Sequence, residues 1–183
     1  MKQLVITRFG NPVLRQIPQQ ITVDEIASDA VQNLIASMFE LLRTDDYGVG
    51  LAAPQVGMSI ALSVIGIKPT PTRPDLALFD SVIINPAYEG IGKQIPMWEG
   101  CISCGSGNDT LYAKVPRFKK VRATWRDRDG VKQQELLDGF VAHVFQHETD
   151  HLNGVLFVDR VKDTSSYMMA DEYRKRIAKK PKN

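Results

Sequence analysis

Residues 139–152 read GFVAHVFQHETDHL, and their pattern is the starting point for interpreting the chain. The apolar residues recur at the spacing of a helix, and Gly154 follows where a helix commonly ends. Because it is apolar on nearly every side, such a helix is expected in the core of the protein. The apolar positions are Phe140, Val141, Val144, Phe145 and Leu152.

The same helix contains the pattern His-Glu-x-x-His, formed by His147, Glu148 and His151. Four-residue spacing puts the two imidazoles on one face of a helix, with the carboxylate beside them. Chance is a poor explanation, because the chain has 3 histidines and buried polar groups without partners are costly. The pattern therefore predicts a metal site, which needs at least one further ligand and, for catalysis, one open position.

Cys101 and Cys104 are the cysteines of the chain, and their spacing allows a rival interpretation. Two thiolates together with His147 and His151 would close a structural zinc site in an interaction module without catalytic activity. The presence of Glu148 argues against this alternative, since a structural zinc site does not require a carboxylate beside its ligands. A chain of 183 residues also has enough core to fold without a metal.

Outside the central helix, the sequence alternates between helical and β patterns. The fold class predicted is α+β, with mostly antiparallel sheets around the central metal-binding helix and with an N-terminal and a C-terminal helix. The predicted elements are a helix over 24–44, strands over 60–67, 82–84 and 121–125, a hairpin turn at Asp129-Gly130, and a helix over 168–178; residues 69–74 are predicted to be a surface loop.

Length and composition indicate an ordinary globular protein. The chain has 183 residues, 43% hydrophobic and 24% charged, so we expect a single domain over 1–183 with a basic C-terminal helix and tail from about 165. A net charge of +2 gives no reason to expect a DNA or membrane partner. Residues 48–67 lack charge but are too rich in glycine and polar residues for a membrane span. The N-terminus has no signal-peptide pattern, so we expect a cytoplasmic protein.

Three ordered segments resemble the signatures of the peptide deformylase family. They are GVGLAAPQ at 48–55, EGCIS at 99–103 and QHETDH at 146–151. The resemblance extends over most of the chain and implies a metal-dependent hydrolase. Such an enzyme removes the N-formyl group from the initiator methionine of nascent polypeptides and releases formate.

The resemblance also implies roles for individual residues. Cys101, His147 and His151 would bind one divalent metal ion, with iron(II) expected and zinc, nickel or cobalt possible in a preparation. Glu148 would move the proton during hydrolysis, as a general acid and base. The side-chain amide of Gln55 and the backbone N–H of Ile102, which replaces the usual leucine, would donate to the developing oxyanion.

The expected partners are nascent formylated polypeptides, with ribosome contact through the basic C-terminal helix as a further expectation. In the family, the segment containing Val49 and Gly50 pairs with the substrate peptide like an added strand. Residues 104–110 depart from the family pattern, so an amidase with another formylated substrate or with low activity is a second alternative. The residues expected to line the methionine pocket are Met97, Trp98, His143 and Val144.

Overall fold

The fold centres on a six-stranded antiparallel sheet. The computed structural model describes residues 4–44, 48–69, 76 and 78–178. The strands lie in the order β1-β2-β3-β4-β5, and β6 pairs with β4 outside this path. The strands are β1 (Gly50–Ala52), β2 (Leu62–Ile67), β3 (Phe79–Gly100), β4 (Leu111–Arg126), β5 (Lys132–Asp138) and β6 (Met168–Met169).

Strand β2 is buried on both faces, which explains its nearly continuous apolar sequence. Leu62 and Val64 belong to a core cluster that includes residues of helix α2 (Asp29–Thr44). Ile65 and Ile67 belong to a second cluster that includes residues of helix α3 (Gly139–His151). The two helices therefore cover opposite faces of this part of the sheet. The predicted α+β fold around a central helix is confirmed.

The predicted N-terminal helix is divided in two. The sequence predicts one helix over 24–44, whereas α1 (Val23–Ile26) and α2 are separate. Thr22 caps α1 through a reciprocal pair of hydrogen bonds with Glu25. Ser28 then precedes α2 and caps it, since its hydroxyl accepts from the N–H of Val31 at 3.4 Å. Serine competes for backbone hydrogen bonds in this way, and periodicity alone does not reveal the break.

Strand β3 is longer than the sequence predicts. A strand over 82–84 is expected to end before Asn85-Pro86, but β3 continues through this dipeptide to Gly100. Asn85 has a φ of +50°, and the pairing with β4 shifts register at this point. The irregularity accommodates a proline, which has no N–H to donate to the ladder. The long β3–β4 pairing places residues 99–103 beside α3.

The C-terminal region begins as a strand. The sequence predicts a helix over 168–178, but Met168 and Met169 pair with β4 as β6. The helix α5 (Ala170–Tyr173) follows and continues as a wider π-helical segment to Ala178. A short helix, α4 (Phe157–Arg160), lies between α3 and this region.

Two further predictions concern connecting segments. The hairpin turn at Asp129-Gly130 is confirmed, with Gly130 at a φ of +78° between β4 and β5. The predicted loop over 69–74 lies mostly outside the described residues. Within the described residues, no helix has the length and apolar character needed to cross a membrane.

Candidate active site

Three side chains with metal-binding atoms meet where β3 ends beside α3. They are Cys101, His147 and His151, and their ligand atoms all lie within 4.8 Å of one another. Cys101 Sγ is 3.4 Å from Nε2 of His151. Helix α3 contributes both histidines, whose ring centroids are 4.9 Å apart. One thiolate and two imidazoles form a donor set that suits zinc, iron(II), cobalt or nickel, so the residues fit the predicted metal.

Glu99 orients His147. Oε2 of Glu99 accepts a hydrogen bond from Nδ1 of His147 at 2.9 Å, which leaves Nε2 of this ring as the nitrogen that could bind a metal. Burial lowers the pKa of His147, but the hydrogen bond and the charge of Glu99 outweigh it and raise the pKa overall. A carboxylate behind a metal-binding histidine fixes both its tautomer and its ring orientation.

His151 lies deeper in the protein, with 1% of its surface exposed. Burial lowers the pKa of His151 well below its ordinary value, so the ring is neutral and has a lone pair for a metal. Its Nδ1 atom has no hydrogen-bond partner within the described part of the chain. Since Nε2 faces Cys101, Nδ1 carries the proton when Nε2 binds a cation.

Glu148 lies beside the cluster and is 3% exposed. Its Oε2 atom makes no hydrogen bond to any described residue. Burial raises the pKa of Glu148 to about 7, against the opposing effect of His147. A carboxyl group that titrates near neutral pH can both accept and release a proton during turnover.

The predicted oxyanion donor Gln55 is buried next to Cys101. Oε1 of Gln55 accepts from the N–H of Ala52 at 2.8 Å, which fixes the orientation of the amide. Nε2 then lies 3.5 Å from Cys101 Sγ and 3.2 Å from Ser103 Oγ. The N–H donor of the side chain is therefore held beside the ligand cluster.

Ile102 begins a short 3-10 turn that ends at Cys104. The first N–H groups of a helix have no acceptor within it, so the N–H of Ile102 is suited to an external acceptor. The carbonyl of Ile102 accepts from Nη1 of Arg8 at 2.8 Å, which ties the turn to the N-terminal segment. The predicted donors at Gln55 and Ile102 thus both lie next to Cys101.

Cys104 is a neighbour of Cys101 but not a member of the ligand cluster. The N–H of Cys104 donates to the carbonyl of Cys101 at 2.8 Å. The hydrogen bond between the two thiols raises the pKa of Cys101 and lowers that of Cys104. Among the described residues, the cluster has no fourth member. The closed zinc site with two cysteines is therefore not favoured.

A buried ionic network behind the cluster was missed by the sequence analysis. Arg117 donates to Glu99 at 2.6 and 3.0 Å and to Asp150 at 2.6 Å. Arg160 adds two hydrogen bonds to Asp150. The signal was an arginine at an inward position of β4, because Ala113, Val115 and Arg117 alternate as buried residues. A buried arginine requires carboxylate partners.

The predicted substrate residues lie on three elements around the cluster. Val49 precedes β1, which lies at one edge of the sheet, and Gly50 begins this strand. Met97 and Trp98 lie near the end of β3 and are half-buried. Val144 belongs to the core cluster against which Val49 packs. The roles of these residues in substrate binding stay predictions.

His143 is placed differently from the other predicted pocket residues. It is 5% exposed, and its Nε2 atom lies 2.7 Å from Oε1 of Glu99. The ring of Phe140 packs edge-on against it, with centroids 6.0 Å apart. His143 therefore contacts the carboxylate that orients His147.

Segment 104–110 contacts the C-terminal helical region at the rim of the site. Arg174 donates a hydrogen bond to the side chain of Asn108. Tyr112 stacks on Tyr173 with ring centroids 4.3 Å apart. A recess lies here, and its lining includes Cys101, Ile102, Tyr112 and Arg174.

Comparison with known proteins agrees with this arrangement. The model of the polypeptide deformylase family matches residues 3–167. A peptide deformylase from Leptospira biflexa is 38% identical over 167 residues, covering 88% of this chain and 89% of the relative.

Solved structures give the same assignment. A class I type b peptide deformylase from Acinetobacter baumannii, solved with Met-Ala-Ser, has a TM-score of 0.78 and 30% identity, covering 86% of this chain and 98% of its own. A peptide deformylase from Synechococcus elongatus, solved with actinonin, has a TM-score of 0.75 and 36% identity. The match covers 91% of this chain and 82% of the Synechococcus chain. The sequence match and the shared fold together show that the chain belongs to the peptide deformylase family.

Proposed function

We propose that this chain hydrolyses the N-formyl group of the initiator methionine on nascent polypeptides, with Glu148 as the proton-transfer residue. Membership in the peptide deformylase family supports the reaction. The observation that supports the residue assignment is a buried carboxyl group beside a cluster of one cysteine and two histidines. Catalytic sites of this kind have three protein ligands and an open position.

Cys101, His147 and His151 would hold the metal. A divalent cation at such a site supplies Lewis acidity and makes a hydroxide nucleophile available near neutral pH. Iron(II) is the metal we expect in the cell, and zinc, nickel or cobalt would be accepted by the same donors. The neutral ring of His151 and the fixed tautomer of His147 both suit a cation.

Glu148 takes the proton of the attacking water and later delivers it to the departing amine nitrogen. Its buried position keeps the pKa near neutral pH, so both transfers are feasible. Nε2 of Gln55 and the N–H of Ile102 donate to the formyl oxygen as negative charge develops on it. Their positions are fixed before substrate arrives, which is what makes such donors effective.

The substrate peptide would pair with the edge strand β1 at Val49 and Gly50, extending the sheet by one strand. Met97, Trp98 and Val144 are proposed to shape the space for the methionine side chain. The altered rim at 104–110 makes peptide preference the property in which this member is expected to differ from its relatives.

We also propose that residues 1–183 act as one catalytic domain in the cytoplasm, where nascent formylated polypeptides are available. We further propose ribosome contact through the basic C-terminal helix. Lys175 and Arg176 already pair with Asp171 and Glu172 on the same helix, so less of its positive charge is available.

The deciding experiment is anaerobic preparation with iron(II), followed by measurement of formate released from formyl-Met-Ala-Ser. Formate release that is absent with acetyl-Met-Ala-Ser is the expected result. Release from other formylated compounds but not from this peptide would favour the amidase with another substrate. Tight metal binding without hydrolysis of any formyl compound would overturn the proposed function.

A further inference from the structure

The Glu99 carboxylate lies at the end of β3 and is 4% exposed. Each of its oxygens has two hydrogen-bond donors. Oε1 is 2.6 Å from Nε of Arg117 and 2.7 Å from Nε2 of His143. Oε2 is 3.0 Å from Nη2 of Arg117 and 2.9 Å from Nδ1 of His147. The carboxylate therefore has its full number of partners.

The contacts with Glu99 show which ring nitrogen carries the hydrogen in His143 and in His147. An ionised carboxylate accepts hydrogen bonds and donates none, so both facing histidine nitrogens carry hydrogen. Both oxygens of Glu99 accept from the Arg117 guanidinium, the geometry of an ionised carboxylate paired with arginine. Nε2 of His147 therefore faces the ligand cluster, whereas Nε2 of His143 donates a hydrogen bond to Glu99.

We propose that His143 is a positioning residue for the metal centre, acting through Glu99 on the ligand His147. His143 and His147 are four residues apart on α3, so one carboxylate reaches both rings. Arg117 binds both oxygens of the carboxylate, and the hydrogen bond of His143 to Oε1 adds a second restraint on its rotation, which keeps Oε2 aimed at His147. The inference rests on the proposed function, since it assumes that His147 is a metal ligand.

Two other roles for His143 are less consistent with the contacts. A substrate-lining residue would need an accessible polar edge, but the ring is buried and its Nε2 is bound to Glu99. A packing residue could be replaced by any apolar side chain of similar size. The hydrogen bond of 2.7 Å to a carboxylate that also orients a ligand indicates a more specific role.

The test compares His143→Leu, which removes the donor, with His143→Gln, which keeps an N–H donor at similar reach. Zinc(II) alone is the probe, and its dissociation constant is measured by competition with a chromophoric chelator. Loss of a partner behind a metal ligand weakens metal binding by about 10- to 100-fold, and we expect this for His143→Leu. His143→Gln should recover most of the affinity.

Phe145→Leu is the matched control, because Phe145 is a buried residue of the same helix and packs against Trp125. It should lower thermal stability and leave zinc affinity unchanged. Wild-type zinc affinity in His143→Leu, or equal weakening in the leucine and glutamine variants, would overturn the proposal. An effect of His143→Leu on the KM for formyl-Met-Ala-Ser alone would identify a pocket residue and overturn it as well.

If His143→Leu does not fold, His143→Asn replaces it. The shorter asparagine amide does not reach Glu99, so the proposal requires tighter zinc binding by the glutamine variant than by the asparagine variant. Equal affinities would contradict it. A failure of the proposed function is recognised separately, because wild-type protein would then bind zinc(II) yet release no formate when loaded with iron(II).

Discussion

Gly50 lies against the side chain of Glu148 so closely that a Cβ atom at position 50 would be 2.7 Å from the carboxyl carbon. Any side chain at this position must displace the carboxylate, because such a separation is far shorter than a van der Waals contact. The absence of a side chain at Gly50 therefore leaves the space that the buried carboxyl group of Glu148 occupies. A glycine that permits close approach has a specific function here.

Gly50→Ala should reduce kcat for formyl-Met-Ala-Ser by about 100-fold or more, the usual contribution of a positioned general base. Metal content should stay at the wild-type level, since the methyl group meets Glu148 and not a ligand. Gly66→Ala in the neighbouring strand is the control, because its Cβ would be an acceptable 3.4 Å from Leu42. Wild-type kcat in Gly50→Ala would show that the position of Glu148 is unimportant.

Glu148→Gln keeps the size of the side chain and removes its ability to accept a proton. We expect kcat to fall by about 10²- to 10⁴-fold while one metal ion per chain is retained. The measurement is formate release together with metal analysis of the same preparation. Loss of the metal from this variant would mean that Glu148 acts as a ligand.

The buried Glu148 should also affect the pH dependence of stability in chelator-treated protein. Burial raises its pKa from 4.5 to about 7, so the folded state binds this proton more tightly than the unfolded state. The resulting stabilisation is complete below the unfolded pKa and is lost as pH rises through about 7. Urea unfolding at pH 5 and pH 8 should show that wild type loses more stability than Glu148→Gln over this interval. Equal losses would contradict the raised pKa.

Arg117 should contribute more to stability than a surface arginine does. Arg117→Met would leave the buried carboxylates of Glu99 and Asp150 without their shared cation, which costs about 3–5 kcal/mol of unfolding free energy. Arg122→Met breaks the exposed pair with Glu89 and should cost at most about 1 kcal/mol. Urea unfolding of both variants measures the difference, and similar costs would show that the network is not stabilising.

Local patterns in the sequence predict the features of the site that depend on one segment. The spacing of His147 and His151 puts both rings on one face of α3, and the periodicity of the same segment predicts that the helix is buried. Cys101 joins them across a sequence separation of 50 residues. That contact follows from the family resemblance, because no local pattern encodes it.

Features that depend on strand register were not predictable in the same way. Arg117 lies opposite Ile95 and Glu99 lies opposite Ala113, so the pairing of β3 and β4 brings the two side chains to the same stretch of the ladder. This pairing follows a register shift between Ile91 and Gln94, which no local pattern predicts. His143 reaches Glu99 from helix α3, so this contact depends on how the helix packs against the end of β3. The sequence alone predicts a place for His143 in the substrate pocket and gives no sign of this contact. The division between α1 and α2 arises from the Ser28 hydroxyl, which is a matter of hydrogen bonding and not of apolar spacing.

The two cysteines provide a comparison within one turn of the chain. Cys101 is buried, and its Sγ faces His151, whereas Cys104 is half-buried and touches the cluster through Cys101. If one thiolate completes the ligand set, then the other is dispensable for metal binding. If both were ligands, no position would be left open for the water that hydrolysis consumes.

Cys101→Ser should therefore release the metal or weaken its binding strongly, because a neutral hydroxyl replaces a thiolate ligand. Cys104→Ser should retain the metal and most of the activity, since the side chain lies outside the ligand cluster. Metal content and formate release from formyl-Met-Ala-Ser are measured on both variants, prepared anaerobically with iron(II). Serine is nearly isosteric with cysteine, so the comparison changes the ligand chemistry more than the packing. Equal loss of metal in the two variants would mean that both thiolates bind it, and the assignment of an open catalytic site would then fail.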